Sequence, residues 1–140
     1  MGKREQLALA QVPLFSPLSP RYLRRLADSM EEVRYMEGAS IVKEGEEGDT
    51  FYVIIEGQAK VENVKGRVVN RLLPGDFFGE ISLLDGGART ASVVAETPMT
   101  LLALTRKAFL KLLQAEPAVA VKLLEYAASM LRRLERPISG

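Results

Sequence analysis

The 140-residue chain contains no cysteine, no histidine and no tryptophan. Without cysteine it can form neither a disulfide framework nor a thiolate metal site, and without histidine it lacks the usual zinc ligand and general base. These absences close most hydrolase chemistries, so we expect neither an enzyme nor a metal site. The length suits one domain over residues 1–140, with a core that needs no covalent cross-links.

The chain also lacks an apolar run of signal-peptide length at its N-terminus, and Gln6 stands where a myristoylation motif requires Ser or Thr. We therefore expect a cytoplasmic protein that does not contact a membrane. No internal repeat and no low-complexity segment is visible. Nothing in the sequence marks an internal domain boundary.

The formal net charge is only +1, but the charges are unevenly distributed. Residues 37–96 carry eleven acidic side chains against six basic ones. Residues 97–140 carry seven basic side chains against three acidic ones, too few and too mixed with Leu and Ala for a nucleic-acid-binding patch. We interpret these bases as a solvated helix face and expect no direct DNA binding by this chain.

The spacing of apolar residues changes twice along the chain. Ser19 as N-cap and Pro20 at the first helical position predict a helix over about residues 19–32. From about residue 33 to 104, short apolar runs alternate with Gly, Asp and Pro, which is typical of antiparallel β structure. Thr105 is a good N-cap, and two helices are predicted over about residues 105–136. The sequence thus predicts a mainly β fold with flanking helices (α+β), an antiparallel β-barrel or jelly roll.

Four glycines within this β region are assigned to turn conformations rather than to ligand contact, because side chains disfavour such backbone angles. They are Gly45, Gly48, Gly57 and Gly75.

The last predicted helix, from Ala118 to about Arg136, is apolar around more than one side. Its apolar residues are Val119, Val121, Leu123, Leu124, Tyr126, Ala127, Met130, Leu131 and Leu134, beside a polar stripe of Lys122, Glu125, Ser129, Arg132 and Arg136. An arc this wide predicts a homodimer through the helix, in addition to docking on its own domain. The alternative is a helix that docks only on its own domain.

The stretch PGDFFGEISLLDGGARTASVVA combines a short helix with one following arginine. Glu80 opens the helix, and the glycine pair at 86–87 ends it after one or two turns. The free backbone N–H groups near Ile81 and Ser82, with the paired donors of Arg89, suit an anion such as a phosphate. The Glu80 carboxylate can accept hydrogen bonds from the hydroxyls of a ribose. The stretch therefore indicates a nucleotide site.

Two alternatives remain for these charged residues. Glu80 and Arg89 could pair with each other inside the loop, as partly buried opposite charges often do. Glu80 could also form a paired-carboxylate hydrolase site with Asp49, Asp76 or Asp85, although no strand or helix pattern aligns two of these carboxylates.

The stretch FGEISLLDGGARTASV resembles the phosphate-binding cassette of the cyclic-nucleotide-binding domain, which is found in bacterial catabolite-activator-type regulators, protein kinase A regulatory subunits and cyclic-nucleotide-gated channels. IVKEGEEGDTFYVIIEGQAKV is similar to the glycine-punctuated strands of that family, and the likeness covers about residues 14–136. It implies that Glu80 binds the ribose 2′-hydroxyl and Arg89 the cyclic phosphate. It also implies ligand contacts by Gly79, Ile81, Ser82, Thr90 and Ala91.

On family frequency alone, the resemblance implies cAMP as the ligand rather than cGMP. Guanine remains an alternative, because the Thr90 hydroxyl could meet its exocyclic amine. The final helix would act as a lid, with Tyr126, Met130 or Arg133 meeting the base. Ala88 departs from the pattern, because many members have Pro before the arginine, and we expect a looser turn there with the site retained.

No helix-turn-helix domain follows the lid before Gly140, unlike in the catabolite-activator type. We therefore expect a stand-alone sensor that acts on a protein partner, or the sensory part of a longer regulator. The alternative is a ligand-free relative that uses the same fold as a scaffold for protein–protein interaction. Retention of both Glu80 and Arg89 favours the sensor.

Overall fold

The structure, a computed structural model, describes the backbone from residue 3 to residue 139 and the side chains from residue 3 to residue 135. The helices in this part are α1 (Lys3–Ala10), α2 (Pro20–Asp28), α3 (Glu80–Asp85), α4 (Arg106–Ala115) and α5 (Pro117–Ser139). The strands are β1 (Glu31–Tyr35), β2 (Ser40–Val42), β3 (Thr50–Glu56), β4 (Ala59–Glu62), β5 (Val68–Leu72), β6 (Phe77–Phe78), β7 (Ser92–Ala95) and β8 (Met99–Thr105).

The strands form two antiparallel sheets. One has the order β1-β8-β3-β6 and the other the order β2-β7-β4-β5. This confirms the predicted class, mainly antiparallel β structure of the jelly-roll type with flanking helices. Among the described residues the two sheets are not closed into a barrel, because no strand pairs from one sheet to the other.

Strand β3 shows how the sequence divides the core between two clusters. Phe51, Val53 and Ile55 point to a cluster that also holds buried side chains of α1, α2, α4 and α5. The alternate residues Tyr52 and Ile54 belong to a second cluster, built from strands of both sheets. Because successive side chains of a strand point to opposite faces, one seven-residue strand serves both cores.

The helix predicted over about residues 19–32 is shorter in the structure, where it is α2. Helix α2 ends at Asp28, because Glu31 and Glu32 pair with Ala103 and Leu102 in the first sheet. Ser19 does occupy the N-cap position, but its side chain makes no capping hydrogen bond.

The C-terminal helices lie where they are predicted. The Thr105 side chain caps α4 by accepting a hydrogen bond from the backbone N–H of Ala108 at 3.1 Å. Helix α5 begins at Pro117 and continues to Ser139, past the predicted end at Arg136, whose side chain lies outside the described part. Over residues 3–139, no helix combines the length and the apolar character that crossing a bilayer would require.

Candidate functional site

Helix α3 is bounded by two glycines with left-handed backbone angles, of which Gly86 belongs to the glycine pair that the sequence predicts at the end of the helix. Gly79 at the N-cap has φ +89°, and Gly86 at the C-cap has φ +69°. The Gly86 N–H donates to the carbonyl oxygen of Ser82 at 2.7 Å, which closes the helix. Gly79 also lies so close to β3 that a Cβ atom there would stand 2.7 Å from the carbonyl oxygen of Thr50.

The loop after α3 is tied to the loop between β2 and β3. Ala88 forms an isolated antiparallel bridge with Glu47. Beside it, the Arg89 N–H donates to the carbonyl oxygen of Glu46 at 2.8 Å, and the Arg89 carbonyl accepts from Gly45 at 2.9 Å. The looser turn expected at Ala88 stays a prediction, and backbone hydrogen bonds hold the adjacent Arg89 on both of its polar groups.

The side chain of Arg89 is buried, with only 8 % of its surface exposed. Its Nη2 atom donates a hydrogen bond to the carbonyl oxygen of Thr50 at 2.9 Å. Its Nη1 atom is fully buried and has no hydrogen-bond partner among the described residues. A buried charged donor without a partner is costly, and a guanidinium with one free donor is suited to bind an anion.

Gly48 makes room for this arginine. A Cβ atom at position 48 would overlap the Nε, Cζ and Cδ atoms of Arg89. Gly48 has no positive φ angle, so the turn conformation assigned to it is wrong and its role is to leave space. The same assignment is confirmed for Gly45, Gly57 and Gly75, which all have φ between +84° and +94°.

Glu80, at the start of α3, is half-buried. Burial raises the pKa of its carboxyl group above the usual value, because a low-dielectric environment disfavours the charged form. No ion pair joins Glu80 to Arg89 in the described part of the chain. Both residues therefore keep capacity for other partners, which rules out the mutual pairing considered from the sequence.

The nearby aspartates hold turns instead of assembling with Glu80. Asp76 accepts a hydrogen bond from the backbone N–H of Leu73 at 2.8 Å, and Asp85 accepts one from Gly87 at 2.7 Å. Within residues 3–135, no group of three or more His, Cys, Asp or Glu side chains could hold a metal ion. The geometry therefore gives no support to a paired-carboxylate site.

A cavity of about 250 Å³ lies between α3, the loop that follows it and the second sheet. All seven residues that the sequence predicts at a ligand site line this one cavity, namely Gly79, Glu80, Ile81, Ser82, Arg89, Thr90 and Ala91. The sequence reasoning missed its apolar wall, which consists of Val42, Val61, Leu72, Phe77, Phe78 and Val93. The alternating pattern of the strands was the available signal, but it does not show which strands face the cassette.

The three residues predicted as lid contacts lie on α5, and none of them lines the cavity. Tyr126 is partly buried against the helical side of the core. Burial raises the pKa of Tyr126, the Glu80 carboxylate raises it further, and Arg133 lowers it. Tyr126 is thus within electrostatic range of both residues, whereas Met130 is 41 % exposed.

A glycine-bounded short helix, a buried arginine and a half-buried glutamate thus surround one cavity of a jelly-roll domain. Residues 32–116, more than half of the chain, match the family described as "Cyclic nucleotide-binding domain". This chain therefore belongs to the cyclic nucleotide-binding domain family.

Known relatives include a regulatory subunit of a cAMP-dependent protein kinase and a cGMP-dependent protein kinase. The chain is 41 % identical over 107 residues to a cAMP-dependent protein kinase regulatory subunit of Aspergillus fumigatus, a match that covers 75 % of this chain and 26 % of that protein. It is 40 % identical over 121 residues to the cGMP-dependent protein kinase egl-4 of Caenorhabditis elegans, covering 81 % of this chain and 16 % of that protein. The chain thus spans about a quarter or less of these relatives.

Among solved structures, the N-terminal domain of a transcriptional regulator from Streptomyces coelicolor A3(2) superimposes with a TM-score of 0.87. The two chains are 35 % identical, and the match covers 94 % of each. The similarity therefore extends over nearly the whole chain, including the flanking helices.

Proposed function

We propose that this chain is a sensor module that binds a 3′,5′-cyclic mononucleotide in the 250 Å³ cavity. The observation that carries this proposal is the buried Nη1 atom of Arg89, which has no partner in the described structure. A phosphate oxygen would supply the missing acceptor and would also neutralise the buried guanidinium charge.

The ribose is assigned to Glu80, whose carboxylate lines the same cavity and has no ion-pair partner within the described residues. A carboxylate accepts hydrogen bonds from hydroxyl groups but repels a phosphate, so the two charged residues receive different parts of one ligand. Gly79, Ile81 and Ala91 are assigned to contacts around the sugar and phosphate.

We keep adenine as the preferred base, on the family frequency that the resemblance of the cassette implies. Both cAMP-dependent and cGMP-dependent kinases occur among the relatives, and their names alone support either base. Thr90 is exposed beside the cavity, where its hydroxyl could meet a guanine amine, so cGMP is the natural competitor to test.

The output is assigned to helix α5. The Glu80 carboxylate raises the pKa of Tyr126 on α5. A ligand bound at Glu80 would therefore change the electrostatic environment of this helix. A ligand repositions the helix only to the extent that it binds one arrangement more tightly than the other. Leu124, Leu131 and Leu134 are exposed along α5, which supports a homodimer or contact with a protein partner or output domain.

Thermal melting with and without nucleotide tests this function. A ligand at about a hundred times its dissociation constant adds about 2.7 kcal/mol of stability, which gives a clear upward shift. We expect the shift with cAMP, a smaller one with cGMP at equal concentration, and none with 5′-AMP, which lacks the cyclic ester. Absence of any shift with both cyclic nucleotides at millimolar concentration would favour the ligand-free scaffold.

A further inference from the structure

A groove of about 960 Å³ runs between α2 and α4 and shares no lining residue with the nucleotide cavity. Its cationic walls are formed by Arg21, Arg24 and Arg25 from α2 and by Lys111 from α4, all of them exposed. Asp28 is the acidic residue of the lining. The lining therefore carries a clear excess of positive charge in a chain whose net charge is only +1.

The groove floor is apolar and shallow. Ala108, Leu112 and Ala115, from one side of α4, form this floor between the charged walls, and Ser29 also lines the groove. The small side chains of Ala108 and Ala115 allow the backbone of a bound peptide to approach the floor closely. The cationic side chains then lie on both sides of that peptide. A segment that fits must therefore combine negative charge with some apolar surface.

One carboxylate of this chain is already bound at the edge of the groove. Glu116 lies with one carboxylate oxygen 3.1 Å from Nε of Arg25 and 3.9 Å from Nη2 of Arg21. Its side chain is only 13 % exposed, so this is a packed contact rather than a solvated pair. The arginines of the groove are thus placed and oriented to bind carboxylates, as the planar guanidinium favours.

We propose that this groove is a docking surface for an acidic, partly apolar peptide segment of a protein partner. The positive excess complements such a segment, and the apolar floor accommodates its side chains between the charged walls. A nucleic acid fits less well, because the nine residues of α2 extend over only about 14 Å and an apolar floor offers nothing to a phosphate backbone.

Glu116 immediately precedes Pro117, the first residue of α5. A carboxylate of the partner would compete with Glu116 for Arg21 and Arg25, so docking would act at the junction of α4 and α5. Removing the charge of Glu116 should strengthen binding of the partner.

The experiment measures fluorescence polarisation of a labelled peptide composed of Glu, Leu and Ser, with the full chain as titrant. The control probes are the same peptide with every Glu replaced by Gln, and a short DNA duplex. Arg24→Glu combined with Lys111→Glu should weaken binding by about tenfold or more, since two attractive charges become repulsive. Glu116→Gln should tighten it, and the Gln peptide and the duplex should bind weakly or not at all.

The matched control is Lys65→Glu with Arg67→Glu, which changes the net charge equally in the exposed turn between β4 and β5. We expect this pair to leave the affinity within about twofold, because Lys65 and Arg67 do not line the groove and exposed charges away from a site are screened by salt. Four results would each overturn the proposal. They are an equal loss of affinity in both double variants, no binding of the Glu peptide to wild type, tighter binding of the duplex than of the peptide, and weaker binding of the peptide to Glu116→Gln. Thermal melting of each variant checks that the fold is intact.

Discussion

Gly48 lies against the side chain of Arg89 so closely that a Cβ atom at position 48 would occupy the space of the guanidinium group. On its other side, a Cβ atom on Gly79 would stand 2.8 Å from Nη1 of the same arginine. Two residues without side chains thus form the slot in which the charge is buried. The proposed nucleotide site depends on this slot, because it holds the guanidinium beside the cavity.

The first prediction concerns the slot. Gly48→Ala should displace Arg89, lower the stability by about 1 to 3 kcal/mol as an overpacked site, and weaken nucleotide binding. The control is Gly87→Ala in the loop after α3, where the added Cβ meets only the movable carboxylate of Asp85 at 3.0 Å. Thermal melting and calorimetric titration measure both effects. Equal behaviour of the two variants would contradict the role assigned to Gly48.

The second prediction concerns Arg89 itself. Arg89→Ala removes a buried, charge-assisted contact to the phosphate and should cost roughly 2 to 5 kcal/mol of binding free energy. That corresponds to a loss of affinity of about thirtyfold to several thousandfold. Arg89→Lys should recover only part of it, because an ammonium lacks the paired donors of a guanidinium.

The measurement is the melting temperature of wild type and both Arg89 variants, each with and without cAMP and cGMP. The variants should lose most of the nucleotide-induced shift while the ligand-free proteins remain folded. If Arg89→Ala retains the full shift, the phosphate has been assigned to the wrong place.

The third prediction uses the raised pKa of Glu80. Burial disfavours its charged form, so the ionised side chain costs stability above the ordinary carboxyl pKa. That cost disappears as the pH falls through the raised pKa. Glu80→Gln should therefore be at least as stable as wild type at neutral pH without ligand, and the difference should shrink in acid.

The same substitution should weaken nucleotide binding by roughly tenfold or more at neutral pH, because a hydrogen bond to a charged acceptor is worth about 1.5 to 3 kcal/mol. Wild type should lose affinity as Glu80 becomes protonated, whereas Glu80→Gln should show a flatter pH profile. Parallel profiles for the two proteins, recorded by calorimetry, would show that Glu80 does not contact the ligand.

The fourth prediction concerns assembly through α5. Leu124→Glu with Leu131→Glu should convert a dimer into a monomer, because both side chains are exposed on α5 and charges there oppose apolar burial. Sedimentation should give about twice 15.4 kDa for wild type and 15.4 kDa for the variant. Met36→Glu with Val64→Glu, at exposed positions outside α5, should sediment like wild type. A monomeric wild type at micromolar concentration, with and without nucleotide, would instead support a helix that docks only on its own domain.

The sequence was sufficient where neighbouring residues decide the conformation. The short apolar run of β3, the cap at Thr105 and Gly86 at the end of α3 all act over a few residues, so their effect is readable along the chain. The residues of the cassette could be named for the same reason, because they are close together in sequence. The end of α2 was misjudged because strand pairing with β8, about seventy residues away, overrides local helix propensity.

The tertiary structure alone decided what these residues do to one another. It placed the carbonyl of Thr50 beside Arg89 across 39 positions of the chain, so the arginine bonds to β3 and not to Glu80. It gave Gly48 a packing role that its turn-like neighbourhood conceals. It also brought Arg25 of α2 to Glu116, which follows the last residue of α4. The two sheets remain open in the described structure. Contacts of this kind depend on how elements that are distant in sequence pack together, and local propensity does not encode that packing.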